Sequence, residues 1–563
     1  MCETSAQAHV LPVLKSVISG VAVTLEVSFE RFQKIDRHLL RTRSVGIMEE
    51  EQARHRRSYY PDILLCRLMP VMVYDRENMP EEYGSCEDNA WVRYIQSRVL
   101  RELDIDLQFV RVKRADDVAQ INLLAGQNEP PDIMFTYEYD FWLTLCRNGL
   151  VADITDELEE NGSYLKRSHA SVLPYGEIDG RQYAIPSLRS TTDVTSAFIR
   201  KDWLDRLGID LPKEENGCYA LTAEQLLEIL RSFQQADFAG RGTDAPAFLS
   251  YGTTYWPMLL LIEGFYEQDA ISDEDLASRP FFLYDGAKEG YRYLNTLYNA
   301  GLLNSDFAMI GENDKSQYGQ AIINGDVGFW CNDSWYGFDS VNGALTKLYS
   351  TDPSAEVAAV DILAPDGRPA YKYTYHPYGM MVFVSSRSAH TDAAVRYLNW
   401  LAQPENDFVL RYGFENEHYT LEGNMPVAVS SSQMQQPRIS VTDLALMYNG
   451  YAYAPDDDID ARLSLGMYME RLRSLRRDAW RVAMTNTFSI PTLTGYIPAS
   501  LETVNILAAK ERELRIRTIM CPAENFDEEW DRCVAAYLSA GGSRAIEAKR
   551  SAYRESIAEK KGN

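Results

Sequence analysis

Residues 330–338 read W-C-N-D-S-W-Y-G-F, the densest aromatic cluster in the chain. Trp330, Trp335 and Tyr336 offer flat apolar rings, and Asn332 and Asp333 between them offer planar polar groups. Sugar rings have apolar faces and hydroxyl-rich edges, so a sugar receptor needs this mixture. Trp330 directly follows Gly328 and Phe329, which suits a core position equally well. Tyr137, Tyr139 and Trp142 form a second group just downstream of a P-P-D loop, where at least one should face a ligand and the others pack. Trp256 follows Y-G-T-T-Y, and His376 and Tyr378 lie in Y-H-P-Y-G. A lone histidine such as His376 is more often structural. Arg189 and Asp193 reach ligand or form an exposed loop pair. Asp333 beside the rings argues for a neutral rather than a uronic sugar. The sequence holds no G-x-S-x-G, H-E-x-x-H, phosphate-binding loop or G-x-G-x-x-G, so no catalytic residues and no cofactor are expected. Paired carboxylates of a glycosidase carry no sequence signature, and an enzyme stays the minor alternative.

These groups need rigid elements to hold them. Residues 63–74 are apolar and predict a first core strand. Trp91, Ile95, Val99 and Leu103 recur every four residues and predict a helix over 88–103. A strand over 105–112 and a helix over 116–125 follow, with Gly126 as a left-handed stop. Then come the Pro130-Pro131-Asp132 turn and a short buried strand at 133–135. Strand–helix–strand–helix–strand is the pattern of an α/β lobe with a mostly parallel sheet. Farther on, a helix is expected over 141–149, with Asp153 or Thr155 capping the next one. Asp179-Gly180 marks a hairpin within 178–186. Thr222 and Gln225 have capping-box spacing before a helix whose Leu226, Leu230 and Phe233 face inward. A short strand is expected at 327–329, another at 380–385, and a helix over 391–401. Beyond Pro455 the chain reads as mostly helical, with Leu463, Met467, Met469, Leu472 and Leu475 as core candidates.

The 563 residues exceed what one core accommodates. A net charge of −26 disfavours nucleic acid and anionic membranes as partners. The eight cysteines show no C-x-x-C and no regular spacing, so neither a zinc site nor a disulfide framework is expected. No apolar run reaches the ~20 residues of a membrane span. Residues 9–23 lean apolar but Lys15 interrupts them, which makes a poor signal peptide. Cys66 follows Leu and is not a convincing lipidation site. Residues 1–58 are read as an extension of unclear role.

Several stretches together resemble a known family. They are L-A-G-Q-N-E-P-P-D-I (124–133), R-N-G-L-V-A-D-I-T (147–155), I-D-G-R-Q-Y-A-I-P (178–186) and I-R-K-D-W-L-D-R-L-G (199–208). A-I-I-N-G-D-V-G-F-W (321–330), Y-G-F-E-N-E-H-Y-T (412–420) and R-T-I-M-C-P-A-E-N-F-D (517–527) continue the series, in the family's order. The family is the extracellular solute-binding proteins of carbohydrate-type ABC importers, in their long lipoprotein subgroup. The resemblance implies an α/β, two-lobed periplasmic-binding-protein-like fold of type II, with a hinge between the lobes and the ligand cleft at their interface. It places lobe 1 at 59–188 plus 376–440, and lobe 2 at 189–375 plus 441–563 with the C-terminal helices. Hinge crossings are expected near 187–195 and 373–378. The implied function is non-catalytic capture of a carbohydrate, an oligosaccharide above all, for ABC permease subunits. The protein would act as a monomer, extracellular and attached to the cell surface through a lipid anchor. A ligand sensor of the same fold is the alternative. Some members, alginate-oligosaccharide binders included, carry a calcium loop after the helix matching 222–235. Here that stretch is D-F-A-G-R-G-T-D-A-P, where only Asp237 and Asp244 remain as carboxylates. Calcium takes six to eight oxygens, so no metal is expected.

Overall fold

The computed structural model describes residues 67–562 apart from 78, 80, 129, 190–191, 215–216, 253–255, 311–314, 339–342, 423–424, 430–442, 450–467 and 494–500. The expected extension 1–58, Cys66, Leu463 and Met467 lie outside these residues.

The first lobe starts with β1 (Arg67–Asp75) and β2 (Ile105–Lys113), paired in parallel from Arg67 opposite Ile105 to Asp75 opposite Lys113. The helix Ala90–Leu103 lies between them in sequence. The Asn89 side chain caps it by accepting the N–H groups of Trp91 and Val92. Its Trp91, Ile95 and Val99 are buried, as the four-residue spacing predicts. The helix Asp117–Ala125 then leads to β3 (Ile133–Thr136), also parallel to β1. Gly126 is not the left-handed stop expected: its φ is −81°, and its N–H still donates to Asn122 O in a last helical turn. Asp132 fastens the following loop. Its N–H donates to Pro70 O at 2.8 Å, and its buried carboxylate accepts the Ser388 hydroxyl at 2.5 Å.

The hairpin β4 (Glu177–Ile178) and β5 (Arg181–Gln182) turns at Asp179 and Gly180, both at positive φ, the backbone of a type I′ turn. β6 (Ile185–Arg189) belongs to the first sheet, and β7 (Thr195–Arg200) is the central strand of a second. β8 (Tyr219–Thr222), β9 (Phe248–Leu249), β10 (Phe329–Asp333) and β11 (Val357–Leu363) complete that sheet in the order β8-β11-β7-β10-β9. β12 (Lys372–Thr374) joins neither large sheet, and β13 (Tyr378–Val384) returns to the first. A hairpin of β14 (Tyr419–Glu422) and β15 (Met425–Ala428) follows. β16 (Tyr448–Asn449) then pairs with β6, and β17 (Thr487–Ser489) pairs with β12.

The first sheet is therefore ordered β16-β6-β13-β3-β1-β2. It is mixed rather than mostly parallel. β13 comes back from the other lobe and runs antiparallel to both β3 and β6. The first core also extends past residue 440, because Leu444, Ala445, Leu446 and Met447 are buried in it. The second sheet is covered on both faces. One face packs on the helices Trp256–Glu263, Ala287–Asn299, Leu501–Met520 and Phe526–Tyr537. The other packs on Lys315–Ile323, Ala344–Thr351 and Glu470–Met484. All six residues of β7 are buried, the polar Thr195, Ser196 and Arg200 as well as the apolar Ala197, Phe198 and Ile199.

Candidate functional site

Three passages of chain connect the sheets: between β6 and β7, between β12 and β13, and between β16 and the helix Glu470–Met484. The first two run side by side. The Arg189 N–H donates to Pro377 O, and the Tyr375 N–H to Thr192 O, each at 2.9 Å. Beneath them the ladder of β12 with β17 fixes an extended segment in which Tyr371, Tyr373 and Tyr375 alternate. Period two puts these three rings on one side of the segment.

An aromatic belt grows from that segment. Trp256 stacks on Tyr373 (6.4 Å between ring centroids, 22° between planes) and meets Tyr375 edge-on at 5.8 Å. Trp335 stacks on Tyr375 at 6.1 Å and 30°. The Arg189 guanidinium lies 4.0 Å from the Tyr375 centroid, and its Nε donates to Tyr378 O at 3.3 Å. His376 stacks on Tyr378 at 5.0 Å, the ring planes nearly parallel. Tyr378 in turn packs against Tyr139 and Tyr175 of the first lobe at 5.9 and 4.6 Å. Tyr137, at the end of β3, stacks on Tyr74, lies 5.0 Å from the Arg114 guanidinium, and accepts a hydrogen bond from Arg76 at 3.4 Å. Of this belt, Tyr137, Tyr139, Arg189, Trp256, Trp335, Tyr373, Tyr375 and His376 are half-buried: held by packing, yet wet.

The electrostatics place these groups in one neighbourhood. Burial drives the His376 imidazole down to about 4, and the Arg189 charge pushes the same way, so this ring is neutral near pH 7. Burial lifts the Tyr373 hydroxyl to about 12 and raises those of Tyr137 and Tyr375, with Arg189 opposing in all three. Glu138 keeps contact with water but is ringed by enough protein that its carboxyl is raised, and its charge acts on Tyr373. The Arg189 charge is thus felt at Tyr137 of the first lobe as well as at the tyrosines before β13.

Other sequence candidates lie elsewhere. β10 continues to Asp333 rather than ending at Phe329, so residues 330–333 alternate between the faces of the second sheet. Trp330 is wholly buried against Phe198 at 5.8 Å, in the core with Tyr318 and Leu345. Asn332 is buried and accepts the Asp333 N–H. Asp333 is half-buried at the strand end. Tyr336 turns back onto Tyr318, 5.5 Å away, and packs on that same core. Trp142 is wholly buried in the first core. Asp193 is no exposed loop residue. It is wholly buried, accepts the Ser334 hydroxyl, and pairs with Arg476 at 3.2 Å. The Asp237 carboxylate accepts the N–H groups of Arg241 and Gly242, and Asp244 is exposed. Among the described residues no group of three or more His, Cys, Asp or Glu is placed to hold a metal.

Tyr175, Tyr373 and Tyr375 were not anticipated. The alternation in Y-K-Y-T-Y-H-P-Y was a legible signal for the last two. Tyr175 had none, since a one-turn helix after Val172 positions it. A separate cavity of about 490 Å³ lies at the far end of β7, lined by Arg200, Asp202, Trp203, Arg206 and Phe238 among others. Arg200 is already paired with Asp202 there, and every lining residue belongs to the second lobe.

Residues 90–407 match the family described as bacterial extracellular solute-binding protein. Lipoprotein LipO of Bacillus subtilis (strain 168) is 21% identical over 271 residues, 46% of this chain and 50% of LipO. The polygalacturonan/rhamnogalacturonan-binding protein YtcQ of the same strain is 21% identical over 355 residues, 62% of this chain and 67% of YtcQ. The chain thus spans about half the length of the first of these relatives. Among solved structures, the S. pneumoniae ABC-transporter substrate binding protein FusA in complex with kestose superposes with a TM-score of 0.61 at 16% identity. That match covers 88% of this chain and 100% of FusA. The fold they share is the two-lobed, type II periplasmic-binding-protein architecture.

Proposed function

Because the chain belongs to the bacterial extracellular solute-binding proteins, we propose that it captures an oligosaccharide between its two lobes for an ABC importer and turns nothing over. The observation that carries this is the half-buried belt of Trp256, Trp335, Tyr373 and Tyr375 at the chain crossings. Apolar sugar faces stack on such rings, and the neighbouring hydroxyl, imidazole and guanidinium groups pair with sugar edges. Tyr137, Tyr139, Tyr175 and Tyr378 form the facing wall. The lobes divide at 192–195 and at 375–377, and these passages act as the hinge. The names of YtcQ and FusA, a polysaccharide-binding protein and a kestose-bound one, support a carbohydrate ligand. Family membership supports an extracellular location, and LipO's name points to a lipid anchor; in this reading the protein delivers its ligand as a monomer to permease subunits.

A thermal-shift screen of mono- and oligosaccharides, with chromatography of each hit after incubation, tests the proposal. A hit should raise the melting temperature and be recovered intact. Cleavage of a hit would replace capture by catalysis, and an unresponsive panel would remove the carbohydrate reading.

A further inference from the structure

Among the described residues, four cations around the belt have carboxylate partners and a fifth, Arg189, has none. Arg76 is held by Asp443 at 2.7 and 2.8 Å, and Arg114 by Asp117 at 2.5 Å. Lys372 is paired with Asp361 at 2.7 Å, and Arg476 with Asp193. Arg189 has no carboxylate within ion-pairing distance among the described residues. Its contacts are a ring face, Tyr375, and one carbonyl, Tyr378 O. Acidic side chains outnumber basic ones by 82 to 56 in this chain, so an unpaired, half-buried arginine is not for want of acids. Holding a guanidinium half out of water without a counter-charge costs free energy, which an incoming anion would offset.

The geometry also limits what that anion is. The guanidinium carbon lies over the Tyr375 ring, 4.0 Å from its centroid. Nε is turned to Tyr378 O, which leaves the two terminal nitrogens as a fork. Two parallel N–H donors match the two oxygens of a planar carboxylate. In a hexuronate the equatorial carboxylate leaves the ring at its edge. A sugar lying on Trp335 therefore offers that group to donors at the rim of the plate, and Arg189 sits over the adjoining Tyr375 ring. The nearby acids do not cancel this. Among the described residues neither Glu138 nor Asp333 lies within ion-pairing distance of the Arg189 guanidinium, whose contacts are Tyr375 and Tyr378 O. We propose that Arg189 seats a ligand carboxylate, so that the oligosaccharide taken by this site is acidic, built of uronate sugars. This rests on the belt being the ligand site. It reverses the neutral sugar expected from Asp333 alone.

The test is calorimetric titration of the full chain with two trisaccharides of the same α-1,4 linkage, trigalacturonate and its neutral counterpart galactotriose. Charged hydrogen bonds of this kind contribute enough that trigalacturonate should bind about tenfold tighter or more. In Arg189→Gln the two affinities should fall within about twofold of each other. Equal or tighter binding of galactotriose by the wild type would overturn the inference, as would a preference that survives the substitution. Should the variant fail to show a cooperative thermal transition, the wild-type ratio decides alone. If only neutral sugars of the thermal-shift panel bind, the inference fails and capture stands. If no sugar in either experiment binds, the capture reading itself fails.

Discussion

Two tryptophans five residues apart have opposite environments. Trp335 is half-buried with a ring laid on Tyr375, whereas Trp330 has no exposure and is stacked on Phe198 inside the second lobe. Trp335→Ala should therefore weaken binding of any oligosaccharide that the screen identifies by about tenfold, with a small change in melting temperature. Trp330→Ala should instead cost about 3–5 kcal/mol of stability in urea unfolding, as a large side chain removed from a packed core does. Unchanged affinity in the first variant would take Trp335 out of the site. Glu263 is the other residue whose environment decides its behaviour. It is wholly buried, accepting the Tyr373 N–H at 2.7 Å and the Thr195 hydroxyl at 3.3 Å. Burial, opposed by these contacts and by Lys372, lifts its carboxyl from 4.5 to about 8. The folded state then keeps a proton that the unfolded chain releases above about pH 4.5. This contribution to stability is full below that value and is lost as pH climbs to about 8, by at most about 1.4 kcal/mol per unit. Glu263→Gln mimics the protonated form, so the melting temperature of the variant should fall less than that of the wild type between pH 5 and 8. Parallel curves would show that Glu263 is already ionised.

At the scale of elements, two small devices hold the site's supports. The capping box at Thr222 and Gln225 forms as the sequence predicts, with each side chain bonded to the other's backbone N–H. Thr222→Ala should cost about 1 kcal/mol through the orphaned N–H groups at the helix start. The helix Glu470–Met484 carries a larger share. Its Arg476 reaches the passage between β6 and β7 and pairs there with Asp193, both groups being essentially without solvent contact. Arg476→Met would leave the Asp193 carboxylate buried beside Ser334 with that charge partner gone. Such a loss typically costs about 3–5 kcal/mol, checked by urea unfolding. A loss under 1 kcal/mol would mean that water reaches Asp193 and the pair does not hold the crossing.

For the molecule as a whole, two sheets joined by three passages give a body whose halves can rotate about a few residues. Ligand held between them should close the lobes, so the radius of gyration from solution scattering should fall when a bound oligosaccharide saturates the protein. At one hundred times Kd the same ligand should add about 2.7 kcal/mol of apparent stability. Binding with no change in scattering would argue for a preformed, rigid cleft.

The sequence determined the elements by itself. Helical periodicity, the Asp179-Gly180 turn, the capping box and the helix Thr391–Leu401 follow from side-chain spacing and local backbone preference, which act over a few residues. Its ordered motifs also carried the family. What it could not determine were matters of pairing at a distance. Where β10 ends is set by its ladder with β7, which runs on to Asp333 opposite Thr195. That register sent Trp330 into a core and left Trp335 beyond the strand, beside Tyr375. Gly126 took a right-handed conformation because the helix needed one more turn before Asp132 tied the loop to Pro70. Asp193 became a buried partner because a helix nearly 300 residues later brought Arg476 to it. Arg189, four residues earlier, has a tyrosine face and no acid among the described residues. The packing of distant elements decided both which tryptophan is buried and which charge finds a counter-charge among the described residues.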